Sequence, residues 1–315
     1  MNRKQLVRTI GNLLMVVAVV FILYKLYQYR EAFFGVFNWK IGCVMLLSAL
    51  FTAFTFVVMG VLYGSLVGRI SGGKAPTGLT ARIYCKSNLY KYIPGNVLQY
   101  VGRNQIAEFT KARHDQVVLA SVIEVAAQAT GALLVSLFLA RGYVLDWFNR
   151  QNKTLIIGTV ALGVMVVAAV LVILIRKKKK LMDELRGFLI RKNLLYMLGL
   201  LGFIVVTQIV NGGLFVWLMH CMVPDLPQTY WNNIAGVYCF AWLVGFITPG
   251  APGGMGIREA MLSVLLTNVI LPEMITAAIV LNRIVTICGD VIAFFISKLF
   301  ARGTESGNRY TEVNI

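Results

Sequence analysis

The sequence is short of charged residues, and of acidic ones above all. Only 14% of its 315 residues are charged, with 13 Asp and Glu against 30 Lys and Arg. A soluble domain would carry about 25% charged residues, which excludes a water-soluble globular protein. Several apolar runs reach the roughly 20 residues that cross a hydrocarbon core. These features predict an all-α integral membrane protein, a polytopic helical bundle.

Residues that hold metals or form disulfides are also scarce. The chain has two histidines and five cysteines, and no cysteine pair has C-x-x-C spacing. An odd number of cysteines, mostly within apolar segments, argues against both a disulfide framework and a zinc site. No catalytic motif is present either. We therefore predict no metal, no cofactor and no enzymatic activity.

The basic residues explain the net charge of +17 without a nucleic-acid partner. They occupy short loops between apolar runs, as the positive-inside rule requires of cytoplasmic loops. Their distribution places both termini in the cytoplasm. The apolar runs predict six crossings, at residues 8–27, 40–67, 116–140, 154–175, 194–221 and 274–300. We expect a single transmembrane domain over 1–303 and a polar tail over 304–315.

Two similar interruptions break the apolar pattern, YIPGNVLQYVGRN from residue 92 and FITPGAPGGMGIRE from residue 246. Pro94, Gly95 and Arg103 recur 155 residues later as Pro249, Gly250 and Arg258, and Tyr84-Cys85 recurs 154 residues later as Tyr238-Cys239. The recurrence predicts an inverted repeat of two halves, about 1–150 and 151–303. Each half would hold one re-entrant hairpin, at 78–112 and 230–271. An alternative topology has eight crossings, with a spanning helix at 256–271.

The interruptions also predict a binding site for an anion. Backbone groups freed by proline and glycine are costly in hydrocarbon unless they are buried in protein or line a wet cavity. A glycine-rich turn that leads into a helix points N–H groups at an anion, and arginine adds a fork of donors suited to phosphate. The candidate residues for a lipid head group are Tyr92, Pro94, Gly95, Asn96, Gln99, Gly102, Arg103, Pro249, Gly250, Gly253, Gly254, Gly256, Arg258 and Glu259.

Four further polar residues lie within predicted spans. Glu124 and Gln128 are four residues apart, so they share one face of a helix. Arg283 and Asp290 share a face of the last span. Charges at membrane depth indicate function by default, but internal pairing is the alternative, with Arg283 bound to Asp290 or Glu124. We interpret all four as candidates for ion coupling or internal pairing.

The two motifs carry a resemblance to a known family. YIPGNVLQYVGR, followed by PGAPGGMGIREA, resembles the transmembrane region of lysylphosphatidylglycerol synthases, a family that includes the flippase half of the bacterial multiple peptide resistance factor. The resemblance covers nearly the whole chain. It implies lipid translocation across the bacterial cytoplasmic membrane, in some members linked to surface polysaccharide pathways. No aminoacyl-transferring domain follows the membrane region, so synthesis of the aminoacylated lipid is not expected.

The leading hypothesis is therefore a translocase for an anionic phospholipid or a polyprenyl-linked saccharide. One alternative is a multi-span polyprenyl-dependent glycosyltransferase, although the outer loops offer few acidic residues for metal or base. Another is the non-catalytic partner of a membrane glycosyltransferase. A third is an ion-coupled transporter of small solutes that uses Glu124 or Asp290 as a proton site.

Overall fold

The architecture is known from a computed structural model. It describes residues 37–73, 75–93, 98–150, 191–248, 254, 256–267 and 269–305, with the single positions 20, 24 and 27. Over these ranges the chain is helical and contains no strand. Outside these ranges lie the predicted span at 154–175 and the tail after residue 305. Of the predicted span at 8–27, only residues 20, 24 and 27 are described. The described residues group into two compact units, residues 1–117 with 280–315 and residues 118–279.

The first unit is built on a long helix and a series of short ones. Helix α1 covers Trp39–Ser71, α2 Thr77–Asn88, a 3-10 turn Leu89–Tyr92, α3 Leu98–Arg103 and α4 Ile106–Phe109. The side chain of Asn38 caps α1 by accepting from the Ile41 N–H at 2.9 Å. Glycine lets α2 approach α1 closely, because a Cβ on Gly60 would lie 2.7 Å from the Ala81 Cα.

The second unit contains two long helices and two shorter ones. Helix α5 covers His114–Arg150 and bends at Ala140, where φ is −131° and ψ is 35°. Helix α6 covers Arg191–Met222, α7 Trp231–Ile247 and α8 Ile257–Leu266. Here too glycines provide the contacts: a Cβ on Gly212 would lie 3.1 Å from the Ala235 Cβ, and one on Gly236 would lie 2.7 Å from the Ala140 backbone nitrogen. The last helix, α9, covers Pro272–Glu305 and extends from this unit into the first.

Within the described part of the chain, four helices are long and apolar enough to cross a membrane, as the prediction of a helical membrane protein requires. Their spanning portions are Trp39–Ser71, His114–Tyr143, Asn193–Met222 and Pro272–Leu299. They match four of the six predicted crossings to within a few residues. Large apolar side chains such as Phe138 and Leu195 remain exposed on them, at 85% and 73%. Exposed apolar surfaces of this kind mark contact with a membrane or with another protein.

The helices next to the two interruptions are short. Helix α8 has 10 residues, which at 1.5 Å per residue extends about 15 Å. A hydrocarbon core is about 30 Å thick, so α8 cannot cross it alone. The eight-crossing alternative assigned a crossing to residues 256–271 despite their short length, and the choice between the two topologies stays a prediction.

Candidate functional site

The second interruption folds α8 back against α7 through two glycines with positive φ. Gly254 has φ +71° and Gly256 has φ +87°, a region that residues with a Cβ avoid. A Cβ on Gly254 would also lie 2.9 Å from the Gly245 carbonyl oxygen in α7. The Glu259 carboxylate accepts from the Gly256 N–H at 2.6 Å and so closes the first turn of α8. Backbone geometry therefore requires glycine at positions 254 and 256.

Arg258 is buried at the start of α8 and lies over an aromatic ring. Its side chain is 6% exposed, and its Cζ is 4.6 Å from the centroid of the Tyr238 ring. Two of its guanidinium nitrogens, Nε and Nη2, are buried and have no hydrogen-bond partner among the described residues. An unsatisfied charged donor is costly to bury. The arrangement offers a cation, unused donors and a helix N-terminus to an anion.

Arg103 is the last residue of α3, and three tyrosines of the first unit surround it. Its Cζ lies 4.1 Å from the ring centroid of Tyr84, 5.0 Å from that of Tyr100 and 5.3 Å from that of Tyr63. The residue is 3% exposed. The Tyr63 hydroxyl donates to the Val117 carbonyl at 2.9 Å, which fixes one wall. Cation–π contacts of this kind stabilise a desolvated arginine by up to about 2 kcal/mol.

The two arginines share one contact, each within its own unit. Arg103 lies over Tyr84, and Arg258 lies over Tyr238. In each unit the cysteine that follows the tyrosine, Cys85 or Cys239, is also buried. Of the residues that recur in the sequence, the arginine and the tyrosine of each copy therefore meet in space.

The structure places the other motif residues in different settings. Gln99 is buried in α3, and Gly102 allows α3 to pack on the 3-10 turn, because a Cβ there would lie 2.7 Å from the Tyr90 ring. Tyr92 lies at the end of that turn and contacts Asp290. Pro94, Gly95, Asn96, Pro249, Gly250 and Gly253 lie outside the described residues.

Asp290 is the centre of a buried network that joins α9 to the end of α2 and the 3-10 turn. The residue is 1% exposed. Its carboxylate accepts from Asn88 Nδ2 at 2.8 Å and from the Tyr92 hydroxyl at 2.5 Å, and it forms an ion pair with Lys91 Nζ at 2.7 Å. The Lys91 ammonium also lies 4.8 Å from the centre of the Phe56 ring. All three donors thus come from residues 88–92.

Of the remaining polar candidates, Glu124 and Arg283 are buried and Gln128 is half-buried. Glu124 accepts from Gln128 Nε2 at 2.6 Å within α5, as their spacing on one helix face predicts. Arg283 is 5% exposed and Glu124 1% exposed. Sequence reasoning did not select Asn88 and Lys91, whose partner lies about 200 positions away, and it selected Tyr84 and Tyr238 only as part of the repeat.

No family model, curated protein or solved structure matches this chain, so the resemblance stated above remains a prediction and the functional argument rests on these residues.

Proposed function

We propose that this protein is a translocase that carries a membrane lipid with an anionic head group, either a phospholipid or a polyprenyl-linked saccharide, across the bacterial cytoplasmic membrane. The observation that carries the proposal is the state of Arg258. It is buried, it lies at the start of α8, and two of its nitrogens lack a hydrogen-bond partner among the described residues.

The argument for a phosphate ligand is electrostatic. An arginine within a membrane protein costs several kcal/mol, on insertion scales about 2.5–3.5, unless something anionic compensates it. The Tyr238 ring supplies part of that compensation, and it leaves Nε and Nη2 without a hydrogen-bond partner in the part of the chain that the structure describes. A phosphate oxygen would satisfy them, and the backbone N–H groups of the first turn of α8 favour the same charge.

The repeated plan supports translocation rather than static binding. Each unit pairs a long helix with short ones, and each places an arginine over the tyrosine of a Tyr-Cys pair. We infer an inverted repeat with two re-entrant hairpins, a plan that transporters use to expose one site to either side of the membrane in turn.

Replacing either arginine by alanine should abolish lipid translocation. The loss of charged hydrogen bonds to the head group would reduce its binding about 10- to 100-fold. The measurement is transport of fluorescent phosphatidylglycerol in liposomes, with thermal unfolding in detergent recorded on the same variants. Arg258→Ala should unfold close to the wild-type temperature, because it removes one cation–π contact worth about 1–2 kcal/mol.

Tyr238→Phe is the matched control for Arg258, because it keeps the ring and removes only the hydroxyl. We expect this variant to retain transport. If Arg258 instead had an internal carboxylate partner, its removal would cost about 3–5 kcal/mol. Such a loss of stability, or normal transport by Arg258→Ala, would contradict the proposal.

The inferred topology predicts which side of the membrane each loop faces. Thr77 and Gln228 are both exposed, Thr77 at the start of α2 and Gln228 in the connection between α6 and α7. A cysteine at Thr77 should react with an impermeant maleimide only from the cytoplasm, and one at Gln228 only from outside. Serine at the exposed Cys43 removes the background. Labelling of both positions from one side would refute the six-crossing arrangement.

A further inference from the structure

The end of the hairpin formed by α6 and α7 contains a cleft that the proposed translocation does not use. It has a volume of about 520 Å³, within the range of about 300–1,000 Å³ for ligand sites. Its walls come from the last turns of α6, the first turns of α7 and Leu139 of α5. Arg258 is not among its lining residues. Tyr238 lies in α7, seven positions after the lining residue Trp231.

One side of the cleft is formed by an exposed face of α6, a candidate membrane-spanning helix. Ile209, Gly213 and Trp217 follow one another at four-residue intervals along α6, so they share a face. Ile209 is 43% exposed and Trp217 is 49% exposed, and both belong to the candidate span Asn193–Met222. In a membrane, this side of the cleft opens onto lipid chains.

The other end of the cleft is polar and contains unsatisfied atoms. His220 lies two residues before the end of α6, and Trp231 is the first residue of α7. Their rings are 5.5 Å apart. The buried Nδ1 of His220 and Nε1 of Trp231 have no hydrogen-bond partner among the described residues. Each unsatisfied buried group costs about 1–3 kcal/mol, so two in one cleft indicate a ligand that satisfies them.

We propose that this cleft binds one phospholipid molecule, with a hydrocarbon chain along Ile209, Gly213 and Trp217 and a phosphate or ester oxygen at His220 and Trp231. The two chemical requirements coincide only in such an amphiphile. The hydrocarbon chain of the lipid needs the exposed apolar wall, and the indole N–H of Trp231 needs an acceptor. The polar atoms lie at the end of the span, where tryptophan is enriched because its ring is apolar and its N–H is polar. This site stands whether or not the protein translocates lipid.

Gly213 provides a direct test, because a Cβ built on it meets no atom within 4 Å. Gly213→Leu should therefore fill the cleft without moving the backbone. Gly202→Leu is the matched control: Gly202 lies on the same helix, a Cβ on it also meets nothing within 4 Å, and it does not line the cleft. Native mass spectrometry of the full chain, titrated with phosphatidylglycerol in a neutral alkyl-glycoside detergent, counts the bound lipids.

Gly213→Leu should lose one bound phosphatidylglycerol, at least a fivefold fall in occupancy, whereas Gly202→Leu should stay within twofold of the wild type. Trp231→Phe keeps the ring and removes the donor, and should weaken the same binding event about tenfold. Arg258→Ala should retain the cleft lipid, which separates this site from the proposed head-group site.

Equal occupancy in Gly213→Leu and Gly202→Leu would overturn the proposal. Displacement of the lipid by millimolar inorganic phosphate would overturn it as well, since the site would then hold a free anion. An unchanged affinity in Trp231→Phe would show that the cleft takes hydrocarbon alone and that the head-group assignment is wrong. Should Gly213→Leu fail to fold, Trp231→Phe decides the outcome by itself.

Discussion

Gly254→Ala should destabilise the protein by roughly 2–6 kcal/mol and abolish transport. Two physical effects add at this position. The residue has φ +71°, where a Cβ costs about 1–3 kcal/mol. The new Cβ would also lie 2.9 Å from the Gly245 carbonyl oxygen and 3.2 Å from the Gly245 Cα, and overpacking costs a further 1–3 kcal/mol or so. Chemical denaturation in mixed micelles measures the change.

Gly256→Ala separates these two effects. Gly256 also has positive φ, at +87°, but a Cβ there meets nothing within 4 Å. We expect only the conformational penalty, about 1–3 kcal/mol, and partial transport. If the two alanine variants lose equal stability, the close contact between α7 and α8 does not contribute, and the fold of this motif is different from the one described.

Asp290→Ala should destabilise the first unit by about 3–5 kcal/mol, the usual cost of breaking a buried ion pair from one side. The substitution removes the acceptor of three donors at once, from Asn88, Lys91 and Tyr92. The Lys91 side chain, only 18% exposed, would lose its counter-ion. The end of α2 and the 3-10 turn would lose their polar attachment to α9. Denaturation in mixed micelles again provides the measurement.

Removing the lysine of the pair should destabilise the protein less than removing the aspartate. The difference between the two losses of stability tests the network. Lys91→Met keeps the apolar stem of the side chain and leaves Asp290 with two donors, so we expect a loss of about 1–3 kcal/mol. In the double variant Asp290→Ala with Lys91→Met no unpaired charge of the ion pair remains, and the two losses should not add; the coupling should reach about 1 kcal/mol or more. Additive losses would mean that the pair does not act as a unit.

The long helices could be predicted from sequence because hydrophobic length is a local property. The predicted spans 40–67 and 194–221 correspond to Trp39–Ser71 and Asn193–Met222. A run of apolar residues of that length has few alternatives in a membrane, since every backbone N–H and C=O must be satisfied within the segment. Neither prediction needed any knowledge of the neighbouring helices.

The short helices could be predicted only in outline. Residues 78–112 appeared helical but carried several basic residues, and the structure divides them into α2, a 3-10 turn, α3 and α4. Where each segment ends depends on contacts with other parts of the chain. Gly102 approaches the Tyr90 ring, and the carboxylate of Asp290 in α9 holds the turn through Tyr92.

The recurrence in the sequence identified pairs of related residues but not their arrangement. Spacing alone identified Arg103 and Arg258 as equivalent, and Tyr84 and Tyr238 as a second equivalent pair. It did not show that each arginine lies over its own tyrosine. Neither did it show that three rings surround Arg103, or that two nitrogens of Arg258 have no hydrogen-bond partner within the described ranges.

The sequence by itself determined the class of protein, the positions of the long helices and the glycines that permit positive φ, because these follow from composition, apolar length and local backbone sterics. Only the tertiary structure decided the partners of the buried charges and the cleft at His220 and Trp231. Asp290 and Tyr92 are 198 positions apart, and no local pattern encodes a contact over that distance. Such contacts depend on how whole helices pack, and the buried polar groups then bind whichever donors and acceptors the packing brings within reach.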